Sequence, residues 1–202
     1  MSRRIFGMVL LVAMFLGCAG CGQLSTFDMP LQDIFNLDSQ MPIWIPYPVT
    51  PEQPTVNVPM GDRENNWGGG SCVHASTVML FRWQGRHNMA KHWRATYRGG
   101  ETLQGLHAKM DREGVRYAYT TNADVKFLEW ALKTHRGVAV TCMGGVHMVC
   151  LVHFDDKRAG ILDNNAIDRI KWIPREQFLA EWRASNSWAT AIIYTPSAPL
   201  PQ

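Results

Sequence analysis

The hydrophobic period of this chain changes once, near Val138, and that change limits the folds open to it. Ahead of Val138 the apolar residues recur at helical spacing in blocks that glycines close. Ser71 to Gln84 carries Val73, Val78, Leu80, Phe81 and Trp83 and stops at Gly85, while Asn88 to Tyr97 and Thr102 to Glu113 form two more blocks, the second ended by Gly114. Asn122 or Asp124 can cap a further helix with Val125, Leu128 and Leu132 on one face and Gly137 at its end. A single alternating run, Val115 to Tyr119, interrupts them. From Val138 onward the pattern is that of strands: Val138 to Cys142, His147 to Phe154 and Arg158 to Asp163, divided by Gly144-Gly145 and Asp155-Asp156-Lys157. Ile167 to Ile173 reads as extended, Pro174 opens a helix through Trp182, and Trp188 to Tyr194 reads as a final strand. Helices followed by an antiparallel meander predict an α+β domain with a helical half packed on a sheet half.

With 202 residues, 46% hydrophobic and 18% charged, the chain supports one sizeable core rather than two. Its start is of another kind. Met1 to Arg4 is a short basic region, Ile5 to Gly17 an apolar run too short to span a bilayer comfortably, and small residues follow, as in an export signal. The sequence Gly17-Cys18-Ala19-Gly20-Cys21 resembles a bacterial lipoprotein signal and implies a lipid on Cys21 or Cys18, hence a membrane-anchored protein of the cell envelope, with plain secretion as the alternative. Residues 22–59 hold Pro30, Pro42, Pro46, Pro48, Pro51, Pro54 and Pro59, a density that forbids long helices and central strands and marks a tether or extended arm. The apolar cluster Ile43-Trp44-Ile45-Pro46-Tyr47 within it is expected to strap onto the domain surface. The domain itself is expected over 60–196, with a tail at 197–202.

Setting aside Arg3 and Arg4 of the leader, the 20 basic residues fall to 18 against 17 acidic ones, and this balance gives no electrostatic footprint for nucleic acid. Past the leader the cysteines are Cys72, Cys142 and Cys150, an odd set that does not read as a disulfide framework. Cys142 and Cys150 are expected as two buried free thiols, because a tight turn at Gly144-Gly145 sets Cys142 opposite His147 and leaves Cys150 out of register with it. Cys72 has a different setting. In Asn66-Trp67-Gly68-Gly69-Gly70-Ser71-Cys72 a glycine-rich turn delivers the sulfur to a helix start, where free N–H groups and the helix dipole favour a thiolate.

Thiol chemistry needs an ionised sulfur, a base within hydrogen-bond reach and a group that orients the base. His147 begins a strand after a glycine turn, and Asp163 ends the next strand. The midpoint of 147 and 163 falls at Asp155, inside the turn between the strands, so the spacing predicts that the two side chains meet. Asn66, six residues before Cys72, is a candidate donor to an oxyanion together with the Cys72 N–H. Asn65 competes for that role. Asn164 is the alternative third member after Asp163. The histidines at 74, 87, 92, 107, 135 and 153 are read as surface or packing residues. A metal reading of Cys142, His147 and Cys150 lacks a fourth ligand at suitable spacing.

An amide residue, five residues, then Gly-Ser-Cys at a helix start resembles the papain-like cysteine peptidases, and the segment lengths are similar to the branch of bacteriocin-leader-processing peptidases. The shared parts run over roughly residues 60 to 195: Cys72 on its helix, Thr102 to Gly114, Asp124 to Gly137, His147 before an apolar strand, Asp163, and the Phe178 to Trp182 helix. Asn66 stands where that family has glutamine, Val73 where the processing peptidases have glycine, and Asn164-Asn165 where they have proline. The resemblance implies a hydrolase that cleaves an amide bond in a peptide or protein, with catalytic Cys72, His147 and Asp163 and no cofactor or metal. The same three residues serve a transglutaminase-like acyl transferase, and a lipoprotein binding module that kept the fold without the activity is the non-enzymatic alternative.

Overall fold

A computed structural model describes residues 53–194. The leader with Cys18 and Cys21, the cluster at 43–47, most of the Pro-rich segment and the tail at 197–202 lie outside the described residues. Five helices and six strands follow one another as α1 Cys72–Trp83, α2 His87–Thr96, α3 Leu103–Arg112, β1 Tyr117–Thr120, α4 Val125–Lys133, β2 Val138–Cys142, β3 His147–Phe154, β4 Arg158–Leu162, β5 Lys171–Pro174, α5 Arg175–Ala184 and β6 Ala189–Ile192. The strands form one antiparallel sheet in the order β1-β6-β2-β3-β4-β5. The α+β architecture and the β2-β3-β4 meander are those the change of period predicts. The position of β6 is not: the last strand inserts between β1 and β2, so the lone strand of the helical half joins the sheet through the C-terminus.

Helix α1 is the axis of the core. All its residues but Arg82 are buried, which is why its sequence shows so little polar surface. Its polar side chains face partners across the core. Ser76 Oγ donates to the Met148 carbonyl of β3 at 3.1 Å, and Gln84, just past the helix end, donates to the Ile192 carbonyl of β6 at 2.8 Å and accepts from the Tyr194 N–H at 2.8 Å. Thr102 caps α3 and Asp124, one of the two candidates for that place, caps α4, each through its side chain.

Four details depart from expectation. The packed body begins before residue 60: Val56 and Val58 are fully buried, and the Val56 N–H donates to the Val152 carbonyl at 2.8 Å, so the end of the Pro-rich segment belongs to the core. Cys142 does face His147 across β2 and β3, but it is only half-buried, because it lies at the end of its strand beside the Met143–Gly145 turn. Only Lys171–Pro174 of the run expected from Ile167 pairs as a strand, and Pro174 closes β5 before α5 begins at Arg175. The β3-β4 register also differs: Cys150 pairs with Leu162 and Leu151 with Ile161, and a bulge then shifts the pairing to His153 with Gly160. Continued past Leu162, that register would set Asp163 across from residue 149 rather than 147.

The helical and sheet halves are joined at their working end by one buried amide. Asn164 is fully buried, and its Nδ2 lies 3.2 Å from the Cys72 carbonyl, 3.0 Å from Ser76 Oγ and 2.8 Å from the Met148 carbonyl. Truncating it removes the amide hydrogens that the buried Cys72 and Met148 carbonyls share across the two halves and opens a polar gap between them. Asn164→Ala is expected to lower unfolding free energy by about 2–4 kcal/mol in urea denaturation. The isosteric Asn164→Asp should do no better, because a carboxylate there faces two carbonyl oxygens.

Candidate active site

The turn ahead of α1 has a backbone that sequence alone explains. Gly68, Gly69 and Gly70 all have positive φ, and a Cβ on Gly70 would lie 2.6 Å from the Gly100 Cα, so glycine is required there by conformation and by space. The turn brings Ser71 to the N-cap and Cys72 to the first residue of α1. Ser71 does not cap the helix with its side chain. Its Oγ accepts from the Trp67 N–H at 2.9 Å and donates to Asn66 Oδ1 at 2.7 Å. The Cys72 N–H lies in the first helical turn, where N–H groups have no intrahelical acceptor.

His147 is buried at the start of β3, and Asp163 follows the end of β4. The ring Nε2 donates to Asp163 Oδ1 at 2.9 Å. With the register two residues away from the symmetric one, Asp163 reaches the ring from a turn rather than from across a ladder. The Ala166 N–H donates to the Asp163 carbonyl at 3.0 Å, and the Asn165 N–H to Asp163 Oδ1 at 2.9 Å. His147 and Cys72 act on each other's ionisation, the ring lowering the thiol and the sulfur helping to raise the ring, while Cys72 Sγ donates to the Gly70 carbonyl at 3.5 Å.

The charges of the three groups follow from this geometry. Hydrogen bonds to Asp163 and then to Cys72 raise His147 from its ordinary 6.5 to about 9, against the opposing effect of burial. For Cys72 burial acts to raise the thiol, but the His147 hydrogen bond, the Met148 and Val73 backbone and the His147 charge outweigh it and hold the group below its ordinary value. Asp163 is held low by the His147 hydrogen bond, followed by that of the Asn165 N–H, against burial. A thiol lowered by the histidine that it helps to raise is the signature of a thiolate–imidazolium pair. The other two cysteines show the contrast: burial first, then neighbouring carboxylate charge, pushes Cys142 up to about 12, and burial pushes Cys150 up to about 12.

Asn66 is half-buried, and its orientation is fixed by its partners. Oδ1 accepts from the Gly68 N–H at 3.0 Å, a donor that cannot be inverted, so Nδ2 points the other way, to Asn165 Oδ1 at 3.0 Å. Asn165 Nδ2 in turn lies 3.4 Å from His147 Nε2, which places the Asn66 amide on the His147 side of the turn with one of its two hydrogens already engaged. Asn65 is exposed, and its backbone carbonyl accepts from Arg94 at 2.8 Å. Asn164, the alternative third member, does not meet the ring: its amide is spent on Cys72, Ser76 and Met148, on the far side of the chain from Asp163.

Two contributors had no signal in the sequence. Asn165 links Asn66 to the His147 ring from an irregular turn, where spacing says nothing. Arg94, a basic residue in the middle of a helix, is buried; it pairs with Glu64 at 2.9 Å, donates to the Asn65 carbonyl at 2.8 Å and lies 3.6 Å below the ring of the half-exposed Trp67, anchoring the segment that carries Asn66. A buried charge needs such a set of partners, and only the folded chain shows them.

A helical layer that carries the cysteine, packed on an antiparallel sheet that carries the histidine and aspartate, is the papain-like cysteine peptidase fold. A solved structure shares it. A C39-like peptidase from Bacillus anthracis superposes with a TM-score of 0.56 at 12% identity, over 72% of this chain and 98% of that one. The peptidase domain of Streptococcus ComA, a bifunctional ABC transporter of a quorum-sensing pathway, gives 0.49 at 16% identity over 66% and 97%. A double-glycine-motif protease from an AMS/PCAT transporter, in complex with the leader peptide, gives 0.45 at 17% over 66% and 89%. No protein-family model matches the chain, and no curated protein does. At 12% identity the first likeness is one of fold.

The protonated ring is the form that the fold stabilises, so His147 should lose its proton only as the pH rises through about 9. In an NMR titration of the imidazole, Asp163→Asn should bring the midpoint down toward 6.5, since the largest cause of the shift is removed. An unchanged midpoint would mean that Asp163 does not act on the ring.

Proposed function

We propose that the protein is a cysteine peptidase in which Cys72 is the nucleophile, His147 the proton carrier and Asp163 the group that orients His147. The observation that carries this reading is the buried imidazole of His147 held by Asp163 at 2.9 Å on Nε2, with Cys72 at the start of a helix and its thiol lowered by that same ring. The sulfur attacks the carbonyl carbon of an amide, and the electron pair moves onto the oxygen. The Cys72 N–H and the Asn66 amide stabilise that oxyanion. The C–N bond breaks as His147 gives its proton to the leaving nitrogen; water, deprotonated by the same ring, then splits the thioester and regenerates the thiolate. Asn66 takes the place of glutamine with a side chain one methylene shorter, and its tie to Asn165 holds it in orientation.

The substrate class is a peptide or protein segment. A transglutaminase-like transfer would use the same acyl-enzyme with an amine in place of water. The lowered thiol supports a reactive Cys72 over a binding module that kept only the fold. The proposal extends to the cell: the basic and apolar leader supports export, and Cys21 or Cys18 would carry the lipid anchor, so that incorporation of labelled palmitate should vanish when both are changed to Ser.

With the full chain and a thiol-directed acyl probe, labelling and peptide cleavage should both be lost in Cys72→Ala while Cys142→Ala and Cys150→Ala keep them; labelling that survives in Cys72→Ala contradicts the assignment. Asn66→Ala should lower kcat roughly a hundredfold with little change in KM, because an oxyanion donor acts in the transition state.

A further inference from the structure

A hollow of about 70 Å³ opens beside His147 on the sheet face that α5 covers. Its walls are apolar, formed by Val149, Ile161, Ile173, Phe178 and Trp182, and Cys142 lines it next to His147. Asp163, Lys171 and Glu181 also border it, with Glu181 Oε1 accepting from the Met143 N–H at 3.4 Å. Neither Cys72 nor the Asn66 to Gly70 turn lines it.

Which end of a substrate lies there follows from the chemistry of the site. The oxyanion is held on the side of the Asn66 turn and the start of α1. The leaving nitrogen must come within reach of the proton on His147, so the chain beyond the scissile bond passes along the histidine. We infer that this hollow, formed by Cys142, Val149 and Ile161 beside His147, is the subsite for the first side chain on the leaving-group side, and that it selects a small aliphatic one. The inference rests on the peptidase reading of Cys72 and His147. A volume of 70 Å³ holds roughly two waters' worth of matter, room for the two or three carbons of an alanine to valine side chain and too little for an aromatic ring. The apolar wall gives such a side chain its binding energy. A glycine leaves the hollow unfilled.

Acyl transfer to added amines reads this subsite without knowledge of the natural substrate. p-Nitrophenyl acetate acylates Cys72 and releases nitrophenol; an amino-acid amide then competes with water. Its nitrogen attacks the thioester carbon, the S–C bond breaks, and its proton passes to the imidazole–thiolate pair. Valinamide should capture the acetyl group about tenfold more efficiently than glycinamide, and phenylalaninamide less efficiently than valinamide. Cys142→Leu, which fills the hollow, should erase the valinamide advantage, read within the variant as the ratio of amide capture to hydrolysis. Cys142→Ala, which enlarges it, should move the preference toward leucinamide. Cys72-dependent acylation with equal capture of all the amides, or a valinamide preference that neither Cys142 variant alters, overturns the subsite and leaves the peptidase reading standing. Nitrophenol release that Cys72→Ala does not reduce overturns the peptidase reading and the subsite with it.

Discussion

One side-chain amide, that of Asn164, sets the distance between the two halves of this protein at the place where the distance matters. Its nitrogen faces the carbonyl of Cys72, the hydroxyl of Ser76 one turn further along the helix, and the carbonyl of Met148, next to His147. The residue before it is Asp163, and the residue after it reaches Asn66 and the His147 ring. All the groups of the candidate site are therefore within one or two residues of a contact that involves the Asn164 segment. Packing of α1 against the sheet supplies the bulk of the driving force, but apolar contact is non-directional and tolerates sliding. A buried amide does not, since displacement leaves polar atoms unpaired in the core.

On that frame the electrostatics are local. Sulfur, imidazole and carboxylate form a chain in which each member shifts the next: the carboxylate raises the ring, the ring lowers the thiol, and the ring holds the carboxylate down. The start of α1 adds free N–H groups at the sulfur. Cys142, level with His147 on the neighbouring strand, lacks a partner of this kind and is driven in the opposite direction by burial and by the Glu181 and Asp163 charges. Two half-buried or buried thiols thus differ in character because His147 lowers one, while burial and carboxylate charge raise the other.

Much of this was legible in the sequence, in proportion to how local the cause is. Helix α1, a cap near Asp124, the strand runs and the pairing of Cys142 with His147 follow from periodicity and turn chemistry, which act within a few residues. Asp163 was found by symmetric hairpin arithmetic that the structure does not obey. The β3-β4 register is offset, and the aspartate reaches His147 from the turn after β4, so the spacing accounts for their meeting only approximately. What could not be read was non-local: β6 between β1 and β2, Val56 and Val58 in the core, the anchoring of the Asn66 segment by Arg94, and Asn164 as a brace in place of an orienting residue. Each of those depends on partners far along the chain, 29 residues off for Arg94 and the Asn65 carbonyl and 92 for Asn164 and the Cys72 carbonyl, and two asparagines in succession give no sign of which one turns inward.

The most direct test of the account is whether Cys72 ionises more readily than an ordinary thiol. The far-ultraviolet absorbance of the thiolate, taken as the difference between the protein and its Cys72→Ala variant, should show a sulfur that ionises below the ordinary thiol value of 9.0. A difference that stays absent until the pH approaches 9.0 would mean that His147 does not hold the sulfur ionised, and it would contradict the thiolate–imidazolium pair on which the proposed chemistry depends.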